Sequence, residues 1–364
     1  MKVLRWLPWI ILGVALCRGQ QWGDGLPFTV SWTEGKCAGC KWAEYLHDVQ
    51  FTAPNEAWGI GNDVPPEGAL DYIVVHTIDG GRTWYEYPRT LQHAAPPDAF
   101  FFDAVNGWMA YWDQWGGITQ TKLARTSDGG KSWRVISRGL IDSPVFADRN
   151  HGIAIKFDMY PNADWLRTAD GGRTWTELRI PHLRQDARRC VYSGSTIWIV
   201  QEEGPNVTLF RTTDGGQSWE EFDGALPKDW AKLREIRFLN RNRGWVVAAD
   251  ESGNEMRLLA TIDGGRTWAQ YPNVALKNTR RMADTVAFVS ESVGFLFEEG
   301  AGSPETSTQV WFTEDGGLQW LKRSLPYSIT SCQAFAGDVL CAGESSTSNF
   351  GVLKLHPPHQ HLHQ

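Results

Sequence analysis

The sequence predicts an all-β protein, a seven-bladed β-propeller whose ring is closed by an N-terminal strand. Three observations support this prediction: an octapeptide that occurs six times, a weaker pattern of paired apolar residues between its copies, and a strand-like segment near the N-terminus. The composition suits such a fold, because 42% of the 364 residues are hydrophobic and 37 glycines allow many tight turns. All-β chains of this length often form a single domain.

The N-terminus has the features of an export signal. Lys2 and Arg5 give it a positive start, residues 6–16 are apolar, and the small Gly19 follows Cys17 by two positions. The apolar stretch is shorter than the ~20 residues of a membrane-spanning helix. We therefore expect residues 1–19 to be a signal peptide and the mature chain to be periplasmic or extracellular. A retained anchor and a lipoprotein attached through Cys17 are the alternatives.

The strongest repeat is the octapeptide Thr-x-Asp-Gly-Gly-x-(Ser/Thr)-Trp, which we call the box. Its copies begin 42 to 52 residues apart, which is the length of one four-stranded propeller blade. Only the last copy departs from the pattern, with Gln319 in place of Ser or Thr. The box aspartates are Asp79, Asp128, Asp170, Asp214, Asp263 and Asp315, and the box tryptophans are Trp84, Trp133, Trp175, Trp219, Trp268 and Trp320.

The residue types of the box predict a structural role in the turn between strands C and D of each blade. Asp-Gly-Gly between apolar strands is a hairpin signal, because glycine adopts positive φ at little cost. The carboxylate can accept hydrogen bonds from N–H groups of its own turn, and the tryptophan can bury a large ring between sheets. Since every copy repeats this chemistry, the box aspartates are poor candidates for catalysis.

Between the boxes, a large apolar residue is followed seven positions later by a second one. We interpret these pairs as strands A and B of each blade. They are Phe51 and Trp58, Phe101 and Trp108, Phe146 and Ile153, Val191 and Trp198, Phe238 and Trp245, Phe288 and Phe295, and approximately Phe335 and Cys341.

Seven A–B hairpins and six boxes leave the last blade without a strand D of its own. Residues 27–34 resemble the strands that follow each box and would fill this position, which would pair two otherwise open strand edges. The alternative is six blades with a separate terminal hairpin. The propeller is expected to span residues 20–355. Residues 356–364 are rich in His, Pro and Gln and are expected to be a disordered tail, with loose metal binding as the alternative.

Five cysteines remain after the predicted cleavage. Cys332 and Cys341 flank a short turn and could face each other across a hairpin, whereas Cys37 and Cys40 form a C-x-x-C pair that could close on itself. Cys190 is then left over as a buried thiol. No thioredoxin-like unit surrounds the C-x-x-C pair, so a structural disulfide is favoured over a redox role. No cofactor or metal site is expected.

The box resembles the Asp box of BNR-repeat propellers, which include sialidases, two-propeller xyloglucanases, sortilin-type receptors and photosystem II stability and assembly factors. A single ring, an export signal and boxes paired with F-x6-W hairpins make the chain most similar to the photosystem II assembly-factor family. This resemblance implies an exported, non-catalytic binding scaffold that assists the assembly or stability of a membrane-protein complex. The box itself is specific for the fold and far less so for function.

A glycan-active hydrolase is the alternative function. A sialidase would carry an F/Y-R-I-P string before its first box, but the nearest string here, residues 178–181, follows the third box and lacks the aromatic residue. A xyloglucanase would use two carboxylates in a cleft between two propellers, and only one propeller is predicted. Asp48, Asp98 and Asp284 lie near the starts of A strands, where turn capping is the simpler interpretation.

The face opposite the boxes is the predicted partner surface, because the D–A linkers and B–C loops meet there. Its positive residues are Arg179, Arg184, Arg188, Arg189, Lys228, Lys232, Arg234, Lys277, Arg280 and Arg281. Its acidic loop residues are Glu202, Glu203, Asp250, Glu251, Glu298 and Glu299, and its expected exposed aromatics are Trp112, Trp115, Tyr160, Trp165 and Trp230. We expect a monomer whose neighbouring basic linkers bind an acidic loop of a membrane or exported protein. The aromatics also suit a glycan, whereas a net charge of −7 argues against nucleic acid.

Overall fold

The computed structural model describes residues 28–38, 43–63, 71–86, 98–115, 118–139, 141–159, 162–185, 187, 189–204, 206–230, 232–250, 252, 255–277, 286–299, 307–345 and 350–358. These residues form seven sheets, antiparallel except for one parallel strand pairing in the first blade, which confirms the seven-bladed propeller. Their helical content is one 3-10 turn, Lys228–Trp230.

The strands of the first three blades are β3 (Ala43–Ala53), β4 (Glu56–Asp63), β5 (Asp71–Thr77) and β6 (Thr83–Glu86); β7 (Asp98–Phe101), β8 (Gly107–Trp115), β9 (Ile118–Thr126) and β10 (Arg134–Arg138); and β11 (Ile141–Phe146), β12 (Gly152–Met159), β13 (Asn162–Thr168) and β14 (Thr176–Glu177). Those of the next three are β15 (Arg189–Ser193), β16 (Thr196–Glu203), β17 (Asn206–Thr212) and β18 (Glu220–Phe222); β19 (Lys232–Phe238), β20 (Gly244–Ala249), β21 (Glu255–Thr261) and β22 (Ala269–Lys277); and β23 (Val286–Phe288), β24 (Gly294–Glu299), β25 (Thr308–Thr313) and β26 (Leu321–Leu325).

The last blade consists of β27 (Tyr327–Phe335), β28 (Asp338–Ser345), β29 (Phe350–His356) and the first strand of the chain, β1 (Thr29–Glu34). His356, which the sequence assigns to the tail, is therefore the last residue of β29, and its imidazole contacts the carboxylate of Asp338. Phe28 and Val30 are buried between this blade and the sixth, and the ring of Phe28 contacts those of Phe295 and Phe312.

Residues 28–38 cross the junction between the last and first blades. β1 pairs antiparallel with β29, and β2 (Lys36–Ala38) then pairs in parallel with β6 of the first blade. Between the two strands, the N–H of Gly35 donates to the carbonyl of Phe350 at 2.9 Å. The sequence analysis did not foresee β2, which gives the first blade a fifth strand.

The first strand of each blade faces a central channel. Since successive strands run in opposite directions, the boxes and A–B turns lie at one end of the ring, which we call the box face. The D–A linkers and B–C loops lie at the other end, the linker face.

Aromatic rings connect neighbouring blades. The strand-B tryptophan of one blade stacks on the strand-A phenylalanine of the next, with ring centroids 3.6 to 4.4 Å apart. The pairs are Trp58 with Phe101, Trp108 with Phe146, Trp198 with Phe238, and Trp245 with Phe288. In the four blades that supply these phenylalanines, the box tryptophan meets the edge of the same ring. The apolar pairs of the sequence do mark strands A and B, but their stacking partners belong to adjacent blades.

Glycine opens strand B where a phenylalanine ring of strand A lies across the backbone. A Cβ atom at Gly107 would lie 2.5 Å from the ring of Phe101, and one at Gly244 would lie 2.5 Å from the ring of Phe238. Any side chain here would therefore displace the ring that stacks on the preceding blade.

Cys332 and Cys341 form a disulfide between β27 and β28, with Cα atoms 4.1 Å apart, as the sequence predicted. Cys190 is half-buried in β15 and takes no part in a disulfide. Cys40 lies outside the described residues and the side chain of Cys37 is not described, so their disulfide stays a prediction. In the described part of the chain, no helix has the length and apolar character needed to cross a membrane.

Candidate binding site around the central channel

The seven inner strands enclose a channel of about 1130 Å³. The polar side chains that the described residues contribute to its wall are amides, hydroxyls and guanidiniums. They are Gln50, Gln333, Ser143, Ser193, Thr330, Ser331, Tyr192, Arg189 and Arg237. Amides and hydroxyls both donate and accept hydrogen bonds, so this wall is chemically suited to the backbone and polar side chains of a peptide.

Tyr192 narrows the channel near the box face. It is the fourth residue of β15, which ends one residue later at the A–B turn of the fourth blade. Its hydroxyl accepts a hydrogen bond from Nε2 of Gln50 at 3.3 Å, and its ring meets the edge of Phe100 with centroids 5.0 Å apart. These contacts reach the first and second blades, so Tyr192 spans the channel.

Glutamine amides connect inner strands on both sides of the first blade. Nε2 of Gln50 donates to the carbonyl of Phe101 at 2.7 Å, and its Oε1 accepts the Phe101 N–H at 2.9 Å. Gln333 contacts Phe51 in the same way, at 3.4 and 2.8 Å. Sequence reasoning missed these glutamines and Tyr192. An amide or phenol within an otherwise apolar inner strand was the sequence feature that could have indicated these channel residues.

At least three of the predicted cations form ion pairs in the described part of the chain. Arg184 lies 2.7 Å from Glu203, and Arg189 lies 3.7 Å from Glu202, so the B–C loop side of the fourth blade partly neutralises the expected basic sector. Arg179 pairs with Glu177 of its own blade at 3.1 Å. These side chains are exposed, and exposed pairs of this kind are weak and screened by salt.

The linkers are shorter than the sequence analysis assumed. Arg189 opens β15, Lys232 and Arg234 belong to β19, and Lys277 ends β22. Lys228, Lys232 and Arg234 are exposed, and Arg189 contributes to the channel wall. Arg188, Arg280 and Arg281 lie outside the described residues, and the side chains of Lys277, Trp112 and Trp115 are not described.

Two residues assigned to the exposed surface are buried instead. Trp165 is 3% exposed and donates its indole N–H to the carbonyl of Ala187 at 3.1 Å. Glu298 is 7% exposed and lies 2.7 Å from the ammonium of Lys322. Both lie in strands that are buried over consecutive residues, since positions 294–298 of β24 and 165–166 of β13 are all buried.

The box aspartates bind their own turns. In the third box, Oδ1 of Asp170 accepts the Thr168 hydroxyl at 2.8 Å and the Thr174 N–H at 2.9 Å, while Oδ2 accepts the Thr174 hydroxyl at 2.6 Å. The bonds to Oδ1 from the first threonine and from the N–H four residues on recur at Asp79, Asp128, Asp214, Asp263 and Asp315. Trp84 is fully buried, and Trp133, Trp175, Trp219, Trp268 and Trp320 are half-buried.

These hydrogen bonds lower the pKa values of the box carboxyls below the usual value for aspartate. Partial burial opposes ionisation of Asp170, but the hydroxyl and N–H of Thr174, the hydroxyl of Thr168 and the N–H of Arg173 together lower its pKa to about 2. The pKa of Asp214 is also lowered to about 2, by its bonds from Ser218, Thr212 and Gln217 against the same opposing burial. A general acid near neutral pH needs a much higher pKa, so these groups fit a structural role.

The other candidate carboxylates belong to residues near the starts of A strands. Asp48 lies within β3 and Asp98 opens β7, with side chains that are not described, and Asp284 lies outside the described residues. Within the described part of the chain, no group of three or more His, Cys, Asp or Glu side chains could hold a metal ion.

Comparison with known proteins places the fold among known propellers. The chain matches no family model. Xyloglucanase Xgh74A of Acetivibrio thermocellus is 27% identical over 131 residues, which are 35% of this chain and 15% of that enzyme. The match therefore spans only a small part of that curated relative.

Two solved structures resemble the chain over almost its whole length. YCF48 bound to a D1 peptide has a TM-score of 0.60 at 18% identity, covering 94% of this chain and 98% of the other. YCF48 from Cyanidioschyzon merolae has a TM-score of 0.54 at 15% identity, covering 90% and 98%. At such identities the likeness concerns the fold alone. The chain is thus a seven-bladed Asp-box β-propeller, similar in fold to YCF48.

Proposed function

We propose that the chain is an exported, non-catalytic scaffold that binds a peptide segment of a protein partner where the channel opens on the linker face. The observation that carries this proposal is the channel itself, whose described wall offers amides, hydroxyls and guanidiniums. Tyr192 narrows it at the box face, so a ligand would enter from the linker face. The similarity to a YCF48 structure that contains a bound D1 peptide supports the same use of the fold.

The charge at the linker face favours an acidic segment. Arg189 lines the channel, and Lys228, Lys232 and Arg234 are exposed at the start of the fifth blade. Glu202 and Glu203 neutralise part of this charge through Arg189 and Arg184. An acidic peptide would compete with these two glutamates for the guanidiniums, so electrostatics should mainly accelerate association. An assisting role in membrane-protein assembly would follow if the segment belongs to a membrane protein.

Fluorescence anisotropy with labelled synthetic peptides tests the proposal. A 15-residue peptide rich in Asp and Glu should bind the full chain, and a Lys-substituted counterpart should not. Arg189→Glu together with Arg234→Glu should weaken binding at least about tenfold, because two attractions become repulsions. Arg179→Glu is the matched control, since it reverses an exposed charge that pairs with Glu177 away from the channel wall. Equal binding of both peptides, or an equal loss in the control, would contradict the proposal.

The non-catalytic part has its own test. Incubation with xyloglucan or sialosides should release no more sugar than a heat-treated sample. Release that follows enzyme concentration would instead support a glycan-active hydrolase, the alternative suggested by the short match to xyloglucanase Xgh74A. Export is tested by locating the processed chain after expression with residues 1–19 present or deleted.

A further inference from the structure

Two junctions on the box face have the same architecture, but one contains a carboxylate where the other contains a fourth arginine. One joins the fourth and fifth blades and contains Arg211, Glu220, Arg241 and Arg266. The other joins the second and third blades and contains Arg125, Arg134, Arg149 and Arg173. Each residue of the second set stands at the position of its counterpart in the first set. We call the first set the balanced site and the second set the arginine cluster.

Backbone register establishes this correspondence. Arg211 is the last residue before the box of its blade and lies opposite Glu220 on the neighbouring strand. Arg125 occupies the same position before its box and lies opposite Arg134. In an antiparallel pair, directly opposite side chains share one face of the sheet, and like charges there are destabilising.

In both sites, the next blade along the chain contributes residues at corresponding positions of its box. The guanidinium of Arg211 packs against the box of the fifth blade, where a Cβ on Gly264 would come within 1.9 Å of its Nη1. The guanidinium of Arg125 packs against the box of the third blade, where a Cβ on Gly171 would come within 2.2 Å of its Nη1. The box arginines also correspond: Nη1 of Arg266 donates to the Asp263 carbonyl at 3.3 Å, and Nη1 of Arg173 donates to the Asp170 carbonyl at 3.0 Å.

In the balanced site, one carboxylate bridges two guanidiniums. Nε of Arg211 donates to Oε2 of Glu220 at 2.9 Å, and Nη2 of Arg266 donates to Oε1 of the same residue. Partial burial of Glu220 opposes ionisation, but the two arginines lower its pKa below its usual value. The molecule thus shows how a carboxylate fits between these groups.

In the arginine cluster this carboxylate is replaced by a fourth guanidinium. Among the described residues, the buried Nε of Arg125 has no hydrogen-bond partner, although its counterpart in Arg211 binds Glu220. The one carboxylate that the described residues place on the cluster is Asp103, which binds Arg149 at 3.0 Å. Burial, with the like charges of Arg173 and Arg149, lowers the pKa of Arg125.

The geometry points to a carboxylate-binding site in the arginine cluster, where a ligand carboxylate lies between Arg125 and Arg173 as Glu220 lies between Arg211 and Arg266. The Cζ atom of Arg125 lies 4.9 Å from the centroid of the Trp108 ring, so packing already directs this guanidinium, and its buried Nε is shielded from water. A charge-assisted hydrogen bond from such a donor is stronger than one from a mobile surface arginine. The site lies on the box face, at the opposite end of the ring from the peptide site proposed above.

The carboxylate can come from a small anion or from an acidic side chain of a partner. Acetate, and acetyl-Gly-Glu-Gly-amide beside its Gln counterpart, serve as the probes. Binding is measured by calorimetry and by the melting temperature of the full chain at constant ionic strength, with chloride as the reference, because a ligand that binds only the folded state raises that temperature. Tighter binding of the Glu peptide than of acetate would assign a partner side chain, and equal binding would assign a small anion.

Reciprocal substitutions make the test decisive. Arg134→Glu should recreate the balanced site, raise the melting temperature in chloride and weaken probe binding at least about tenfold. Glu220→Arg should create a second arginine cluster, lower the melting temperature in chloride and double the number of bound probes. Arg138→Glu, on the same strand as Arg134, is the matched control and should leave probe binding unchanged.

Three results would overturn the assignment: no effect of acetate or the Glu peptide beyond that of chloride, unchanged probe binding in Arg134→Glu, or an equal loss in Arg138→Glu. A response to inorganic phosphate without one to either carboxylate would also overturn it. If Glu220→Arg does not fold, Arg134→Glu and its control still decide the question, because Arg134 is exposed and its change removes a repulsion.

Discussion

The junction between the fourth and fifth blades and the junction between the last and first blades are built from different interactions. In the former, Trp198 stacks on Phe238 at 3.7 Å and donates its indole N–H to the box carbonyl of Gly264 at 3.0 Å. At the junction between the last and first blades, the strand-B position that holds tryptophan in four other blades is occupied by Cys341. Polar side chains of β27 bind the backbone of β3, and residues 28–38 cross the outside of the junction.

Chain connectivity explains the difference. The fourth and fifth blades follow each other along the chain, so a linker already holds them close and ring stacking has only to fix their packing. The last and first blades are separated by most of the chain, and bringing them together costs more loop-closure entropy. There, the side chains of Ser331 and Gln333 accept hydrogen bonds from the backbone N–H groups of β3, and two strand pairings connect the blades further.

The largest expected effect is the removal of the crossing segment. A chain that begins at residue 39 should lose its cooperative melting transition or melt more than about 10 °C lower than one that begins at residue 20. The reason is the loss of two strand pairings and of buried Phe28 and Val30, whose burial alone contributes roughly 1.5–3 kcal/mol each. Thermal unfolding followed by circular dichroism measures it. A chain that ends at Pro358 is the control, and equal melting of the two N-terminal forms would show that the ring closes without this segment.

A substitution at a stacked junction should destabilise the fold less than the removal of residues 28–38. Trp198→Ala is expected to lower the free energy of unfolding by about 3–5 kcal/mol, since the indole is fully buried between two blades. Trp198→Phe keeps a ring on Phe238 and loses the hydrogen bond to Gly264, so about 1 kcal/mol is expected. Urea unfolding measures both values. Similar losses for the two variants would contradict a stacking role for the indole.

The sequence predicted the repeated parts of the molecule better than the parts that occur once. The box located every C–D turn of the first six blades, because its residues form bonds within their own turn. The stacking of Trp198 on Phe238 was missed because its partners belong to different repeats, and a pattern within one repeat cannot reveal which blade a ring contacts. The strand β2 was missed because three residues in a parallel pairing leave no recognisable pattern.

Burial at the candidate site was also hard to foresee. The Glu298-Glu299 pair has the composition of an acidic loop, yet Glu298 points inward from β24 to Lys322 of β26. The partner lies 24 residues away in the chain and no local pattern connects the two. The partial neutralisation of Arg184 and Arg189 escaped notice for the same reason, because the matching glutamates belong to β16.

The smallest expected effect concerns the boxes, which the first six blades contain and the closing blade lacks. The pKa of Asp170 is about 2 in the folded chain, below the value of about 3.9 for an unfolded aspartate. Its contribution to stability is therefore complete above about pH 4 and is lost as the pH falls toward 2. Asp170→Asn should lower the free energy of unfolding by roughly 1 kcal/mol at pH 7, a value reduced by exposure to solvent, and by less at pH 3. Asp229→Asn, in the exposed 3-10 turn, is the control. Urea unfolding at the two pH values measures the difference, and an equal loss at both would mean that ionisation of this carboxyl does not stabilise the box.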